Sequence, residues 1–382
     1  FEFIRGSILT GFPWNLIAYS FSNHLEILSI TSFIGTYGFN LFCISLFTSP
    51  AVFILRDSKK DICVCIVFLM MPLLFYMHGS SYKETFNTSD VISYNYKVRA
   101  IGSNISLDRF YSNIDPASAI NDLIEISEPN KNEKTIFVWP EGILPEISQK
   151  ELFEYKWLFE KSFNKNHLLL IGINNQTINK ESINYFNSLS IYDHNLELLN
   201  FYNKVNLVPF GEFLPFENIS KAFGLRSITN NYQSFSKGNK REIMEINREG
   251  FSIKILPLIC YEIIYSGKIF SNSNFDLIIN ISEDGWFGKS IGPKQHFAHS
   301  IFRAVESGKY LLRSANNGIA AIINPLGIVE QKIEYGESGF IDFKEAKKIQ
   351  PTLFSKYGNK IFIILILLYI FIIFSFNRIK NE

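Results

Sequence analysis

The sequence predicts transmembrane helices carrying one extramembrane domain built around a buried β-sheet, of α/β or layered α+β type. Three observations point there. Apolar residues crowd into residues 1–78 and 358–382 and thin out between them. The stretch between alternates short β-rich runs with helical ones. Several of those runs (IFVW, LLLIGI, LIINI) are continuously apolar, as expected when both faces of a sheet are covered.

Ile27 to Leu55 holds no charged residue. That is long enough to cross a hydrocarbon core of ~30 Å with some tilt. Ile62 to Met77 is a second, shorter run containing Pro72, and Ile361 to Phe376 is a third, almost wholly Ile, Leu and Phe. Lys and Arg flank these runs, which favours spans over buried core helices. We therefore expect a transmembrane region over 1–78, with spans near 27–55 and 62–77, and a C-terminal transmembrane helix over 359–376. Residues 1–23, with Gly11-Phe12-Pro13-Trp14, read as the end of an earlier span plus an interfacial loop. Phe1 stands where Met is usual, as in a fragment or a renumbered chain. The loop Arg56-Asp57-Ser58-Lys59-Lys60-Asp61 and the tail with Arg378 and Lys380 are rich in Lys and Arg, which assigns both to the cytoplasm. The middle of the chain then lies on the opposite, extracytoplasmic face of a membrane that the chain crosses more than once.

A net charge of +1 gives no electrostatic footprint for nucleic acid. Of four cysteines, Cys43, Cys63 and Cys65 lie in apolar runs, and Cys260 stands alone in the polar middle. It is a small buried apolar residue or a reactive thiol; no CxxC pair suggests zinc.

The domain is expected over 85–345. Its strand candidates are Lys97–Ile105, Thr135–Trp139, His167–Ile173, Ser188–Tyr192, Ile253–Cys260, Leu277–Ile281 and Gly318–Ile323. Helix candidates are Pro116–Ser127, Gln149–Phe163 and Pro293–Ser307.

Three motifs sit at strand ends. In Thr135-Ile136-Phe137-Val138-Trp139-Pro140-Glu141, Pro140 halts the ladder and leaves Glu141 at the rim beside apolar neighbours. Desolvation there would raise its pKa toward a general-base range. In Asn203-Lys204-Val205-Asn206-Leu207-Val208-Pro209-Phe210-Gly211-Glu212, a tight loop follows the lysine, and Gly211 suggests a special backbone conformation. Lys204 is a candidate oxyanion partner and Glu212 a carboxylate to orient it. In Leu256-Pro257-Leu258-Ile259-Cys260-Tyr261-Glu262 a thiol emerges at a strand end. A neutral thiol needs a base or a nearby cation to act as nucleophile, and Glu141 and Lys204 would supply both. A fourth block, Asn280 to Gly288 followed by Gly292-Pro293-Lys294-Gln295-His296, reads as a shaped loop over a pocket, with Trp286 and Phe287 as substrate-loop candidates. His296 and His299 share a helix face, but no third metal ligand is evident, and no cofactor is called for.

The blocks WPEG, NKVNLVPFGEFLPF, ICYEI, WFGKSIGPKQH and RSANNGIAAI resemble those of the apolipoprotein N-acyltransferases, membrane members of the nitrilase (carbon–nitrogen hydrolase) superfamily. The resemblance covers essentially the whole chain. It implies transmembrane helices plus a nitrilase-like α-β-β-α sandwich domain, in a family that normally has several additional N-terminal spans. It also implies Cys260 as nucleophile, Glu141 as general base and Lys204 as oxyanion stabiliser, with Glu212 and Glu262 as supporting carboxylates and the Tyr261 backbone N–H completing an oxyanion hole. The implied reaction is ping-pong transfer of an acyl chain from a phospholipid donor, through a Cys thioester, to the N-terminal amine of a diacylglyceryl apolipoprotein acceptor. There are departures from the family pattern. Its Q-G-N-type turn reads Gly102-Ser103-Asn104, the Trp expected soon after is replaced by Phe110 or Tyr111, and its N-D-A-W reads Glu283-Asp284-Gly285-Trp286. The rival reading of the same triad is a membrane-tethered amidase or nitrilase using water. A protein that keeps the fold only for binding would be expected to have lost one of the three residues.

Overall fold

This computed structural model describes every residue except 56–58, 112–114, 180–181, 217–233, 249, 270–273 and 381–382. Arg56, Asp57 and Ser58 of the charged loop thus lie outside the described residues. Two helices, α1 (Thr31–Ile54) and α2 (Lys59–Asn87), are long and apolar enough to cross a membrane by length and composition. Their outward faces carry exposed Phe, Ile, Leu and Met, whereas buried Phe39 and Cys43 of α1 and Phe75 of α2 face the interior. The apolar run at Ile27 begins four residues before α1, because Leu25–Leu28 forms a separate short turn.

The domain is one continuous thirteen-stranded sheet folded on itself. Its first half holds β1 (Val91–Ser103), β2 (Thr135–Val138), β3 (Leu144–Ser148), β4 (His167–Asn179), β5 (Ser182–Asp193) and β6 (Leu198–Asn203). Its second half holds β7 (Met244–Arg248), β8 (Phe251–Ile259), β9 (Leu277–Glu283), β10 (Tyr310–Asn316), β11 (Ala320–Ile323) and β12 (Val329–Ile333), and β13 (Gly339–Lys347) pairs back onto β1. The order is β6-β5-β4-β2-β1-β10-β9-β8-β7. The halves join in the sheet where Gly102 and Ser103 of β1 pair with Ala315 and Asn316 of β10 and where β13 runs antiparallel along β1.

Alternation along the strands shows the layering. In β2, Ile136 and Val138 join the core between the halves, whereas Phe137 and Trp139 join a second core on the outer face. Helices α3 (Pro116–Ser127) and α4 (Lys156–Ser162) cover that outer face, and α5 (Gly292–Ser307) packs on β10 and β11. This is the α-β-β-α sandwich that the resemblance implies. The expected helix at Gln149–Phe163 is instead a 3₁₀ turn, Glu151–Tyr155, running into α4. Strand β10 had no apolar signal in the sequence because it buries Arg313 and Asn316; β3, β6, β7, β12 and β13 are short or border solvent. A last apolar helix, α6 (Lys360–Lys380), lies against α1, with the Tyr369 and Ser45 hydroxyls 3.2 Å apart.

One buried carboxylate ties α1 to the domain. Glu306 of α5 accepts from the Thr36 backbone N–H at 2.7 Å and from the Thr36 and Ser266 hydroxyls at 2.6 Å each, and pairs with Arg303 at 3.0 Å. Thr36 is presented this way because α1 breaks at Gly35 (φ 70°, ψ 173°), a conformation essentially reserved for glycine. A Cβ added there would also run into the Phe354 ring. Gly35→Ala should therefore destabilise the protein by about 1–3 kcal/mol, read as a lower melting temperature in detergent, and adding Phe354→Ala should not restore it.

Candidate active site

Parallel strands put their carboxyl ends on one edge of the sandwich. Strands β1, β2 and β4 are mutually parallel, as are β1, β10, β9 and β8. Glu141 follows β2, Lys204 follows β6, Cys260 follows β8 and Glu283 ends β9, so residues far apart in sequence converge. They open on a cavity of about 370 Å³.

Lys204 is almost wholly buried, and its ammonium lies 3.1 Å from Glu141 Oε1 and 2.9 Å from Glu212 Oε1. Asn187 of β5 parallels it, donating from Nδ2 to the same two oxygens at 2.6 and 2.8 Å. Glu141 Oε2 accepts from the Glu283 backbone N–H at 3.0 Å, and Glu212 Oε2 from that of Val208 at 2.8 Å. The apolar surroundings expected of Glu141 are thus not what it has: its oxygens face three donors. Burial alone would lower the Lys204 pKa, but the two carboxylates hold it well above its ordinary value. Burial pushes the Cys260 thiol well above its usual range, Glu141 adds to the rise, and Lys204 pulls part of it back. At rest Cys260 is a thiol.

Cys260 has φ +48°, in the left-handed region that non-glycine residues rarely adopt. Its turn is held from one side by Glu262, wholly buried and outside the cavity wall. One Glu262 oxygen accepts from the Ile259 N–H at 2.9 Å. The other accepts from the Val205 and Asn206 N–H groups at 2.9 and 3.0 Å, from the Tyr202 hydroxyl at 2.7 Å and from Arg241 at 2.6 Å. One carboxylate therefore fixes the cysteine turn to the segment after Lys204. In the loop ending at Glu212, the left-handed residue is Phe210 (φ +61°), not Gly211 as the sequence suggested.

Tyr261 lines the cavity and donates its hydroxyl to the Gly11 carbonyl at 2.7 Å, which draws the Phe12-Pro13-Trp14 loop over the site. Phe12 and Trp14 stack with ring centroids 5.8 Å apart. Trp286 and Phe287 also line the cavity: Trp286 packs on Phe110 at 4.7 Å and Phe287 on Trp14 at 5.2 Å. Of the two aromatics there, Phe110 lines the cavity, whereas Tyr111 is exposed. His299 Nε2 lies 3.1 Å from the Trp14 carbonyl, and His296 faces Asp284, so the two histidines serve separate contacts.

A model of the carbon-nitrogen hydrolase family matches residues 123–342, and one of the apolipoprotein N-acyltransferase N-terminal domain matches residues 1–47. The apolipoprotein N-acyltransferase of Rickettsia prowazekii (strain Madrid E) is 31% identical over 396 residues, covering 100% of this chain and 75% of that one. The enzyme of that name from Wigglesworthia glossinidia brevipalpis is 33% identical over 390 residues, covering 99% and 74%. This chain belongs to the apolipoprotein N-acyltransferase family. It is an enzyme of the carbon–nitrogen hydrolase superfamily. Among solved structures, the NitN amidase of Nesterenkonia sp. AN1 is similar at TM-score 0.45 and 14% identity over 68% of this chain and 95% of that one, too distant to bear on the reaction. The family match runs through the N-acyltransferase N-terminal domain as well as the hydrolase-type domain.

Sequence reasoning missed Asn187, Arg241, Asp284 and Arg313. Asn187 lies in a strand of mixed polarity that gives no signal; Arg313, an arginine inside Tyr310-Leu311-Leu312-Arg313-Ser314, is the kind of buried charge that implies a partner. Burial would raise the Glu262 pKa, but Arg241 and the Ile259 N–H bring it below the ordinary value. A depressed folded pKa gives stability that is present above the unfolded value, about 4.3, and lost as pH falls through the folded one. Glu262→Gln should cost about 3–5 kcal/mol at neutral pH by leaving Arg241 buried without its charge partner. It should also flatten the loss of stability on acidification below about pH 4, both read by thermal melts across pH.

Proposed function

We propose that this chain transfers a fatty acyl group from a membrane phospholipid, through a thioester on Cys260, to the N-terminal α-amine of S-diacylglyceryl-cysteine lipoproteins. The observation that carries the reading is that Glu141, Lys204 and Cys260 share one cavity whose wall includes Phe12 and Trp14 from the segment leading into α1. A site for small soluble amides has no use for that wall; an acyl chain arriving from a bilayer does.

Glu141 takes the Cys260 proton as sulfur attacks the ester carbonyl carbon and the C–S bond forms. The Lys204 ammonium and the Tyr261 backbone N–H stabilise the oxyanion. Collapse breaks the ester C–O bond, Glu141 returns the proton to the departing glycerol oxygen, and lysophospholipid leaves. The acceptor amine then attacks the thioester: the C–N bond forms, the C–S bond breaks, and the amine proton passes by way of Glu141 to the thiolate. When Glu141 takes the Cys260 proton the negative charge passes to the oxyanion, and when it returns the proton to the leaving oxygen it is a carboxylate again, ready for the amine. Glu212 keeps Lys204 in place throughout.

The helices sit in the bacterial inner membrane as a multi-pass base, with the catalytic domain on the periplasmic side, in keeping with the Lys and Arg residues of the loop before α2 and of the C-terminal tail. Cys260→Ala should abolish acylation of a diacylglyceryl-cysteine peptide in lipid vesicles. Lys204→Met should slow it by about 10²–10³-fold. N-acylated product from the Cys260→Ala protein would sink the mechanism.

A further inference from the structure

Behind the cysteine turn lies a buried polar chain that the reaction above does not use. His296, on the first turns of α5, has Nε2 3.3 Å from the Cys260 carbonyl oxygen. Its Nδ1 is 2.8 Å from Asp284 Oδ1 and 3.1 Å from Arg313 Nη2. Arg313 also donates to both Asp284 oxygens, at 2.9 and 2.7 Å, and to Asn280, while the Ser282 hydroxyl donates to Asp284 at 2.7 Å. His296, Asp284 and Arg313 are all fully buried.

The proton on His296 follows from these partners. A carbonyl oxygen only accepts, so Nε2 must carry a hydrogen for that contact to be favourable. On the Nδ1 side there is both an acceptor, Asp284, and a donor, Arg313. A neutral ring protonated at Nε2 accepts at Nδ1 from Arg313, and a charged ring donates from Nδ1 to Asp284. Both forms set Nε2–H toward Cys260; a ring protonated at Nδ1 alone would set the lone pairs of Nε2 and of the Cys260 carbonyl against each other, and that contact disfavours it.

The consequence runs through one peptide plane. The Cys260 carbonyl and the Tyr261 N–H belong to the same trans peptide and point in opposite directions. Holding the carbonyl against His296 therefore fixes the direction of the Tyr261 N–H at the cavity that Cys260, Tyr261 and His296 all line. The turn needs that hold, because left-handed Cys260 costs about 1–3 kcal/mol that its surroundings must offset.

We infer that His296, oriented by Asp284 and Arg313, is a positioning residue that sets the Tyr261 N–H as an oxyanion donor by gripping the Cys260 carbonyl. This rests on the thioester reading of the site. His296→Leu keeps the bulk and loses the donor; His296→Gln carries an N–H at nearly the position of Nε2.

The test measures two rates at Cys260 in full-length protein in lipid vesicles. Alkylation by iodoacetamide forms no oxyanion; acyl-enzyme formation from a phospholipid does. His296→Leu should acylate about 10²-fold more slowly at an unchanged apparent KM for the phospholipid, while alkylation stays within a few-fold of the parent. His296→Gln should recover most of the acylation rate. Equal losses of alkylation and acylation in both variants would mean that His296 only supports the core, and would overturn the inference. So would a His296→Leu protein that acylates like the parent. Absence of any acyl adduct in the parent itself would instead strike the thioester reading, so the two failures are distinguishable.

Discussion

The structure depends most on a buried ammonium held between two carboxylates. Taking Glu141, Glu212 and Lys204 out of water costs several kcal/mol per ion, and only close pairing offsets it. Here the Lys204 ammonium contacts both carboxylates, Asn187 bridges the same two oxygens, and backbone N–H groups of Glu283 and Val208 take the remaining ones. Burial is the main reason the neighbouring thiol resists ionisation; Glu141 adds to it and Lys204 offsets part. On the proposed reading, a base beside such a thiol lets sulfur become nucleophilic only as its proton leaves, which suits an intermediate that waits for an amine.

Around that cluster, buried polar groups pin the loops to their neighbours. Glu262 joins the cysteine turn to the segment after Lys204, His296 joins the same turn to α5, and Glu306 at the far end of α5 joins the domain to the break in α1. Helix α5 therefore touches both the Cys260 backbone and the start of a helix fit to span a membrane. The Tyr261 hydroxyl adds a shorter link, from the residue beside Cys260 to the loop before α1. The site and the apolar helices are thus linked through these buried contacts, in keeping with the lipid substrates we propose.

Much of this was legible in the sequence, and unevenly so. The apolar runs marked α1, α2 and α6, and continuous apolar strands such as Leu277–Ile281 marked the sheet, because burial on both faces leaves a compositional trace. Motifs at strand ends marked Glu141, Lys204 and Cys260, since Pro140 and the Pro-Phe-Gly-Glu loop punctuate the chain beside residues that converge on one cavity. What stayed hidden depends on partners distant in sequence. Asn187 matters because it lies opposite Lys204, and Arg313 because Asp284 lies 29 positions away and directly beside it. The left-handed conformation of Cys260 and Phe210 was equally invisible, since neither residue type announces it.

The central claim is that Cys260 carries the acyl group between two lipids. Mass spectrometry of the Cys260 peptide, from protein purified with its native lipids and split into samples with and without hydroxylamine, tests it most directly. The account predicts a fatty acyl mass on Cys260 that hydroxylamine removes. A bare Cys260 in protein that still hydrolyses small amides would contradict it.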